Sequence, residues 1–368
     1  MSKEKIVLFT PYIPIESRDA ARKTLDTRWV GQGPQVEQFE QVWQNQISAP
    51  NKAIAVGAGT DALHLAYILA GIKDDDEVVT PVFTCSATTS TLLYQRAKPV
   101  FADVKSGGLN IDPDDVRRKM TERTKAIVCV HYGGLPCDMD ELRQVADEWH
   151  VPIIEVAAQA HGAVYKGRNI GSISEFSAFS FQAIKIITTC DGGMLTIKDP
   201  ELEDKAKRIR WFGIDRKAKM EDRWLNDITE VGYKYQMTDV SASMGLEAMK
   251  LLPQTLSRYR EYFEAYRQGL AGVPGITFMG DDQDHQSSCW LATVLVDNRN
   301  GLKQKLAEND IESNQVHYRN DIYSIFGGRV DTCPNMDAVE SKYLVLPMHM
   351  GMTIEDIGRV LKVIKSGW

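Results

Sequence analysis

Apolar positions along the first two thirds of the chain switch between two spacings. In "VEQFEQVWQNQI", Val36, Phe39 and Val42 recur as on one face of a helix. "NKAIAVGAG" is a short apolar run entering a glycine turn, and "TDALHLAYILAGI" follows as a helix with Thr60 or Asp61 as N-cap and Gly71 near its end. "DEVVTPVF" then reads as a strand, "SATTSTLLYQRA" as a helix, and "KPVFADV" as a strand. "DPDDVRRKM" opens a helix with Pro113 in its first turn. "KAIVCVHYG" is another strand, "DMDELRQVADEWH" a helix and "VPIIEVA" a strand. This alternation predicts βαβ units around a mostly parallel sheet with both faces covered.

The rhythm changes after "MGLEAMKLLPQTLSRYREYFEAYRQGL", a long helical stretch that Pro253 is expected to interrupt. "ITFMG", "CWLATVLVD" and "QVHYR" are separated strands, and "IEDIGRVLKVIKSGW" is a closing helix. The reading is an α/β chain in two parts: a large domain over residues 1–249 and a smaller C-terminal α+β domain over 250–368. The charged stretch 214–230 is expected to be a surface excursion, and long connections are often functional.

Composition narrows the function. The 368 residues carry a formal net charge of -7 without a Lys/Arg block, so nucleic acid is not an expected partner. No apolar run is long enough to span a membrane, and the first residues lack a signal-peptide core, so a cytoplasmic location is expected. The six cysteines form no CxxC pair and match no zinc spacing, which predicts structural thiols and no metal site.

Two stretches suggest chemistry. Gly57-Ala58-Gly59-Thr60-Asp61-Ala62 lies between a strand and a helix. It fits a plain tight turn, a phosphate cradle of free backbone N–H groups, or a dinucleotide fingerprint. The acidic residues Asp74 to Glu77 stand before the next strand, which is the wrong place for a ribose contact. In "FSAFSFQAIKIITTCDGGMLTI", Ser180 ends an apolar strand and Lys185 follows within an almost uncharged stretch. Such a lysine either snorkels or is desolvated into a nucleophilic amine able to form a Schiff base.

Five motifs in order resemble the DegT/StrS family of sugar aminotransferases, which are fold-type-I enzymes using pyridoxal phosphate (PLP): "RWVGQGPQVEQFE", "GAGTDALHLA", "AAQAHGAVYKGRNIG", "FSFQAIKIITTCDGGM" and "GYKYQMTDVSASMGL". The resemblance implies an aminotransferase acting on a keto-sugar, nucleotide-linked, with glutamate as amino donor. By position, Lys185 is implied to carry PLP. Ser180 contacts its phosphate, Gly59, Thr60 and Asp61 form the phosphate turn, and Gln159 lies beside the ring hydroxyl. Lys234 falls where many members place an asparagine reaching the phosphate of a neighbouring subunit, which implies a homodimer with shared active sites. Its point charge suits that contact.

Two positions depart from the family. Cys85 stands where many members stack an aromatic ring on the cofactor, and sulfur covers that face less completely. Val156 stands where the family has the aspartate that keeps the ring nitrogen protonated, so that the ring accepts carbanion electrons. A carboxylate about 3 Å from that cation attracts it by roughly 5 kcal/mol at an effective dielectric near 20, before desolvation. With valine there, the nitrogen is expected to lose its proton. Neighbouring strand residues face opposite ways, so Glu155 is expected to point elsewhere unless the strand slips by one. Val156 also fits as an ordinary core residue. Cys190 stands where the family has glycine and is strained if its φ is positive, or is a structural thiol in an ordinary turn.

His317, Tyr318 and Arg319 cluster in "QVHYRND", either as a substrate subsite, with Arg319 the bidentate group, or as a solvated loop. His349 is read as structural and His131 as substrate-side or loop-anchoring. Two other functions are consistent with parts of the sequence. One is a weakened relative that binds PLP or a nucleotide sugar without efficient turnover. The other is an NAD-dependent dehydrogenase built on Gly57-Ala58-Gly59, which leaves Lys185 unexplained.

Overall fold

A computed structural model describes residues 4–215, 227–280 and 285–368. Most of the charged stretch 214–230 lies outside the described residues, so the expectation of a surface excursion stays with the sequence.

A seven-stranded sheet runs in the order Lys52–Val56, Gly193–Ile197, Phe176–Ser180, Ile153–Val156, Thr124–Val130, Glu77–Pro81, Lys98–Ala102. Gly193–Ile197 is antiparallel to both neighbours, and the other pairings are parallel. The strands are buried at nearly every position because both faces are covered. Ile154, Val156 and Ala178 pack on one face, under the helix Gly59–Leu69. Ile153, Cys129 and Phe179 pack on the other, with Phe39 and Trp43. That alternation fixes which side chains reach the site.

The dinucleotide reading of the glycine turn fails on topology. Its strand, Lys52–Val56, is an edge strand beside an antiparallel neighbour, not the central parallel strand of a nucleotide-binding unit. Three local expectations are also corrected. Pro253 does not interrupt its helix: Asp239–Leu270 is continuous, and burial of Leu246, Met249, Leu256, Tyr259, Phe263 and others along its length outweighs the lost hydrogen bond. The position expected to divide the domains, near residue 250, therefore lies inside that helix. "SATTSTLLYQRA" forms only a short α-turn, Ser86–Ser90, followed by a 3-10 turn, Thr91–Gln95. "QVHYR" does not join the second sheet. Tyr318–Arg319 pairs with Phe83–Thr84 of the first part, and thereby fastens the two parts together near Cys85.

The second sheet is antiparallel: Ile276–Phe278, Ala292–Val296, Tyr343–Leu346. Helices Arg299–Ala307 and Ile354–Lys365 flank it, the latter started by a reciprocal capping box of Thr353 and Asp356.

His161 lies in the core behind the sheet, its ring stacked on Phe179 and Phe181 and edge-on to Trp43. Both ring nitrogens are buried and lack a well-formed hydrogen bond among the described residues. Burial, with a smaller push from Lys185, lowers its pKa to about 3. The unfolded chain therefore binds a proton near pH 6.5 that the folded chain refuses until about pH 3. Stability from the neutral ring is fully present above pH 6.5 and is lost as pH falls, by about 1.4 kcal/mol per unit. In urea titrations at pH 7, 6 and 5, His161→Leu is expected to lose less stability on acidification than the wild type. Parallel pH dependences would contradict this.

Candidate active site

The candidate cavity opens at the ends of the strands Ile153–Val156 and Phe176–Ser180, beside the start of the helix Gly59–Leu69. It has a volume of about 400 Å³, and Gly59, Thr60, Cys85, Val156, Gln159 and Ser180 lie on its wall with Lys185, Trp290 and His317.

The helix start is suited to an anion. Its N-cap, Ala58, has no capping side chain, so the first N–H groups and the positive end of the dipole are left for a ligand. The approach is possible only with glycine. A Cβ at Gly59 would sit 2.8 Å from Cβ of Ser180, and one at Gly193 would sit 2.4 Å from the Ala58 carbonyl oxygen. The Ser180 hydroxyl is brought against the turn by the same contact. Asp61, expected in the phosphate turn, is not on the cavity wall. Its carboxyl group turns back toward Gly57, and burial pushes its pKa up to about 6. A carboxylate beside a phosphate would be repelled, so facing the turn is the favourable arrangement.

Lys185 follows the strand Phe176–Ser180 and projects into the cavity. Burial lowers its pKa from 10.5 to about 8, with Cys85 opposing weakly. Its Nζ lies 3.9 Å from the ring centroid of Trp290, a cation–π contact of about 1–2 kcal/mol in a desolvated setting. Desolvation outweighs that contact, and at pH 7 about a tenth of the amine is neutral.

Gln159 is held from two sides. Its Oε1 accepts the Gly133 backbone N–H at 2.6 Å, which turns its Nε2 toward His317 Nε2 at 2.9 Å. His317 must then accept, and burial lowers its pKa to about 3, so the ring is neutral. Its backbone is left-handed, φ 67°, a conformation costing a non-glycine residue about 1 kcal/mol or more and retained at the cavity edge.

Val156 is on the cavity floor, and Glu155 is behind the sheet. Glu155 accepts hydrogen bonds from the Ser174 N–H at 3.0 Å and the Ser177 hydroxyl at 3.1 Å, and pairs with His131 Nε2 at 2.9 Å. These partners keep it there, so it does not replace a carboxylate at 156. His131, whose Nδ1 accepts the Cys137 N–H, anchors a loop and does not face the cavity. His349 bonds the Val7 carbonyl and the Gly351 N–H, a structural role. Cys190 has φ 67°, so its backbone takes the strained form that glycine would relieve.

The expected substrate cluster separates. His317 reaches the cavity. Tyr318 is 41% exposed and off the cavity wall. Arg319 is 1% exposed and grips Asp321 through Nε at 2.6 Å and Nη2 at 2.7 Å, with Asp337 and Glu340 beyond. With its donors committed to the buried Asp321 and to the more exposed Asp337 and Glu340, Arg319 is held as a structural staple rather than turned to the cavity. Lys234 is exposed and bridges Trp211 by backbone, away from its own chain's cavity. Trp290 carries no functional signal in the sequence, because a tryptophan in an apolar strand pattern reads as core.

No helix among the described residues is long and apolar enough to cross a membrane, and no described cluster of His, Cys, Asp and Glu suits a metal ion.

The DegT/DnrJ/EryC1/StrS aminotransferase family model matches residues 11–365. The spore coat polysaccharide biosynthesis protein SpsC of Bacillus subtilis is 34% identical over 97% of this chain and 95% of its own. The UDP-4-amino-4-deoxy-L-arabinose–oxoglutarate aminotransferase of Shewanella sediminis is 31% identical over 100% and 99%. Among solved structures, AtS13 of Actinomadura melliaura superposes with a TM-score of 0.94 at 32% identity, covering 100% of both chains. The putative sugar aminotransferase Spr1654 of Streptococcus pneumoniae, in its PLP form, superposes with a TM-score of 0.91 at 28% identity over 99% and 98%.

The lowered pKa of Lys185 gives a test. Attachment of PLP, trapped by borohydride and located by mass spectrometry, is expected on Lys185 and absent in Lys185→Ala. Its initial rate should rise about tenfold per pH unit up to about pH 8 and then level off. A rate still climbing at pH 10 would show an ordinary solvated lysine.

Proposed function

This chain belongs to the DegT/DnrJ/EryC1/StrS aminotransferase family, PLP-dependent enzymes that aminate sugars, and we propose that it moves an amino group from glutamate to a nucleotide-linked keto-sugar, at a rate reduced by Val156. The observation that carries this reading is the convergence of Lys185, Gln159, Ser180 and an uncapped helix start on one cavity.

The residues present suit the cofactor at three of its four contacts. The helix start and the Ser180 hydroxyl suit the phosphate, Gln159 the ring hydroxyl, and Lys185 the aldehyde carbon. At the ring nitrogen the chain offers Val156, which neither holds nor releases a proton. PLP bound through Lys185 supplies an electron sink that lets a C–N bond be broken on the donor and made on the acceptor.

Each side chain then has a task. The first N–H groups of Gly59–Leu69 bind and orient the phosphate. Gln159 gives one amide proton to His317 and keeps the other for the ring hydroxyl. Lys185, its pKa lowered toward neutral pH by burial, would take the proton from the donor's α-carbon and return one to the carbon on the other side of the nitrogen being transferred. Val156 keeps the floor apolar, so the nitrogen side receives no charge support and the electron sink is weaker. Cys85 leaves more of the ring face uncovered than an aromatic residue would.

Lys234, exposed and off the wall of its own cavity, is positioned in this reading to reach the phosphate site of a second copy in a homodimer with shared active sites in the cytoplasm. Sedimentation at a single chain mass would argue against that assembly.

Val156→Asp tests the central point. Of the roughly 5 kcal/mol of attraction, even about 1.4 kcal/mol expressed in the barrier is a tenfold gain in rate. Glutamate-dependent formation of 2-oxoglutarate with a nucleotide-linked keto-sugar is expected to rise at least about tenfold in this variant. An unchanged or lower rate, with PLP still bound, would mean that the valine site works by another route.

A further inference from the structure

Trp290 belongs to the second part of the chain, just before the strand Ala292–Val296, yet its side chain is built into the lysine site. It is 2% exposed. The backbone N–H donates to the Gly133 carbonyl at 2.9 Å, and the Leu291 N–H reaches the same oxygen at 3.3 Å. The indole Nε1–H donates to the carbonyl of Ile184 at 2.9 Å, the residue directly before Lys185. One ring face stacks on Phe9, with centroids 5.8 Å apart and planes at 16°. Lys185 Nζ lies 3.9 Å from the ring centroid. A single indole therefore touches Lys185 at both ends, the peptide that starts it and the amine that finishes it. Among the described residues, no carboxylate forms an ion pair with Lys185. The ionisable groups around it are Cys85, Asp191 and His317 on the cavity wall, with His161 and Asp61 farther off.

We propose that Trp290 is the positioning residue of Lys185: its N–H fixes the backbone from which the lysine springs, and its π-face holds the ammonium whenever the amine is not bonded to cofactor. The second part of the chain thereby sets where the lysine rests between transfers, and the amine returns to one place instead of sampling the cavity. This rests on Lys185 being the cofactor lysine, and it goes beyond the assignment of that residue.

The test uses cofactor-free protein, so its failure is separate from any failure of the sugar reading. The pH dependence of Lys185 acylation by an amine-reactive reagent, followed by mass spectrometry of its peptide, gives the amine's pKa. A π-face favours the charged form, so Trp290→Leu is expected to lower that pKa by about one unit. Trp290→Phe, which keeps a π-face, should stay close to wild type. Phe9→Leu, which loosens the packing of the indole, should lower the melting temperature without moving the pKa. An unshifted Trp290→Leu, or an equal shift in Phe9→Leu, overturns the proposal in favour of a packing role. Should Trp290→Leu fail to fold, indole fluorescence of the wild type against Lys185→Met decides. A titration step at the lysine pKa, absent from Lys185→Met, supports the contact, and its absence in the wild type overturns it.

Discussion

The site depends on a steric constraint: the helix Gly59–Leu69 must begin almost in contact with the strand Phe176–Ser180. Gly59 and Gly193 provide that closeness, since a methyl group at either would lie inside its neighbour's radius. The uncapped N–H groups, the Ser180 hydroxyl and the chain that leads to Lys185 are all placed by it. A phosphate at this point meets several oriented donors at once, without waiting for side chains to assemble. Lys185 follows five residues after Ser180, in the turn that leaves the strand Phe176–Ser180.

Charge in the molecule is segregated around this point. Glu155, His131 and Cys137 form a satisfied polar knot behind the sheet, and Arg319 is consumed by Asp321 and Asp337 at the join of the two parts. The cavity itself is mainly apolar, floored by Val156 and walled by Ala178, Leu63 and Val316. In such surroundings an ammonium is destabilised and a lone amine becomes a base, while an unpaired pyridinium would also be destabilised. Both consequences follow from one environment: Lys185 is tuned toward neutrality, and the ring nitrogen is left without a counter-charge.

Much of this was legible in the sequence, for identifiable reasons. The strand–helix alternation, the glycine turn and the lysine in an uncharged stretch are local patterns, and alternation along "IIEVA" was enough to send Glu155 and Val156 to opposite faces. What depended on distant partners was not legible. Arg319 looked like an anion ligand because Asp337 and Glu340 are remote in sequence and the nearby Asp321 does not by itself show that it is the partner, and Asp61 looked like part of the cradle because residue order at a helix start does not say which way a carboxyl group points, here back to Gly57. Trp290 was invisible because its contacts at Ile184 and Phe9 come from other parts of the chain. Pro253 misled for a related reason, since burial along both halves of its helix overrides local propensity.

The most direct test of the account is a crystal structure of the protein loaded with PLP at neutral pH. The expected result is density continuous from Lys185 Nζ, phosphate at the Gly59–Thr60 turn, and the ring nitrogen within about 4 Å of the Val156 side chain, with Glu155 still behind the sheet. Cofactor joined to another lysine, or a Glu155 carboxylate drawn through to the ring nitrogen, would contradict it.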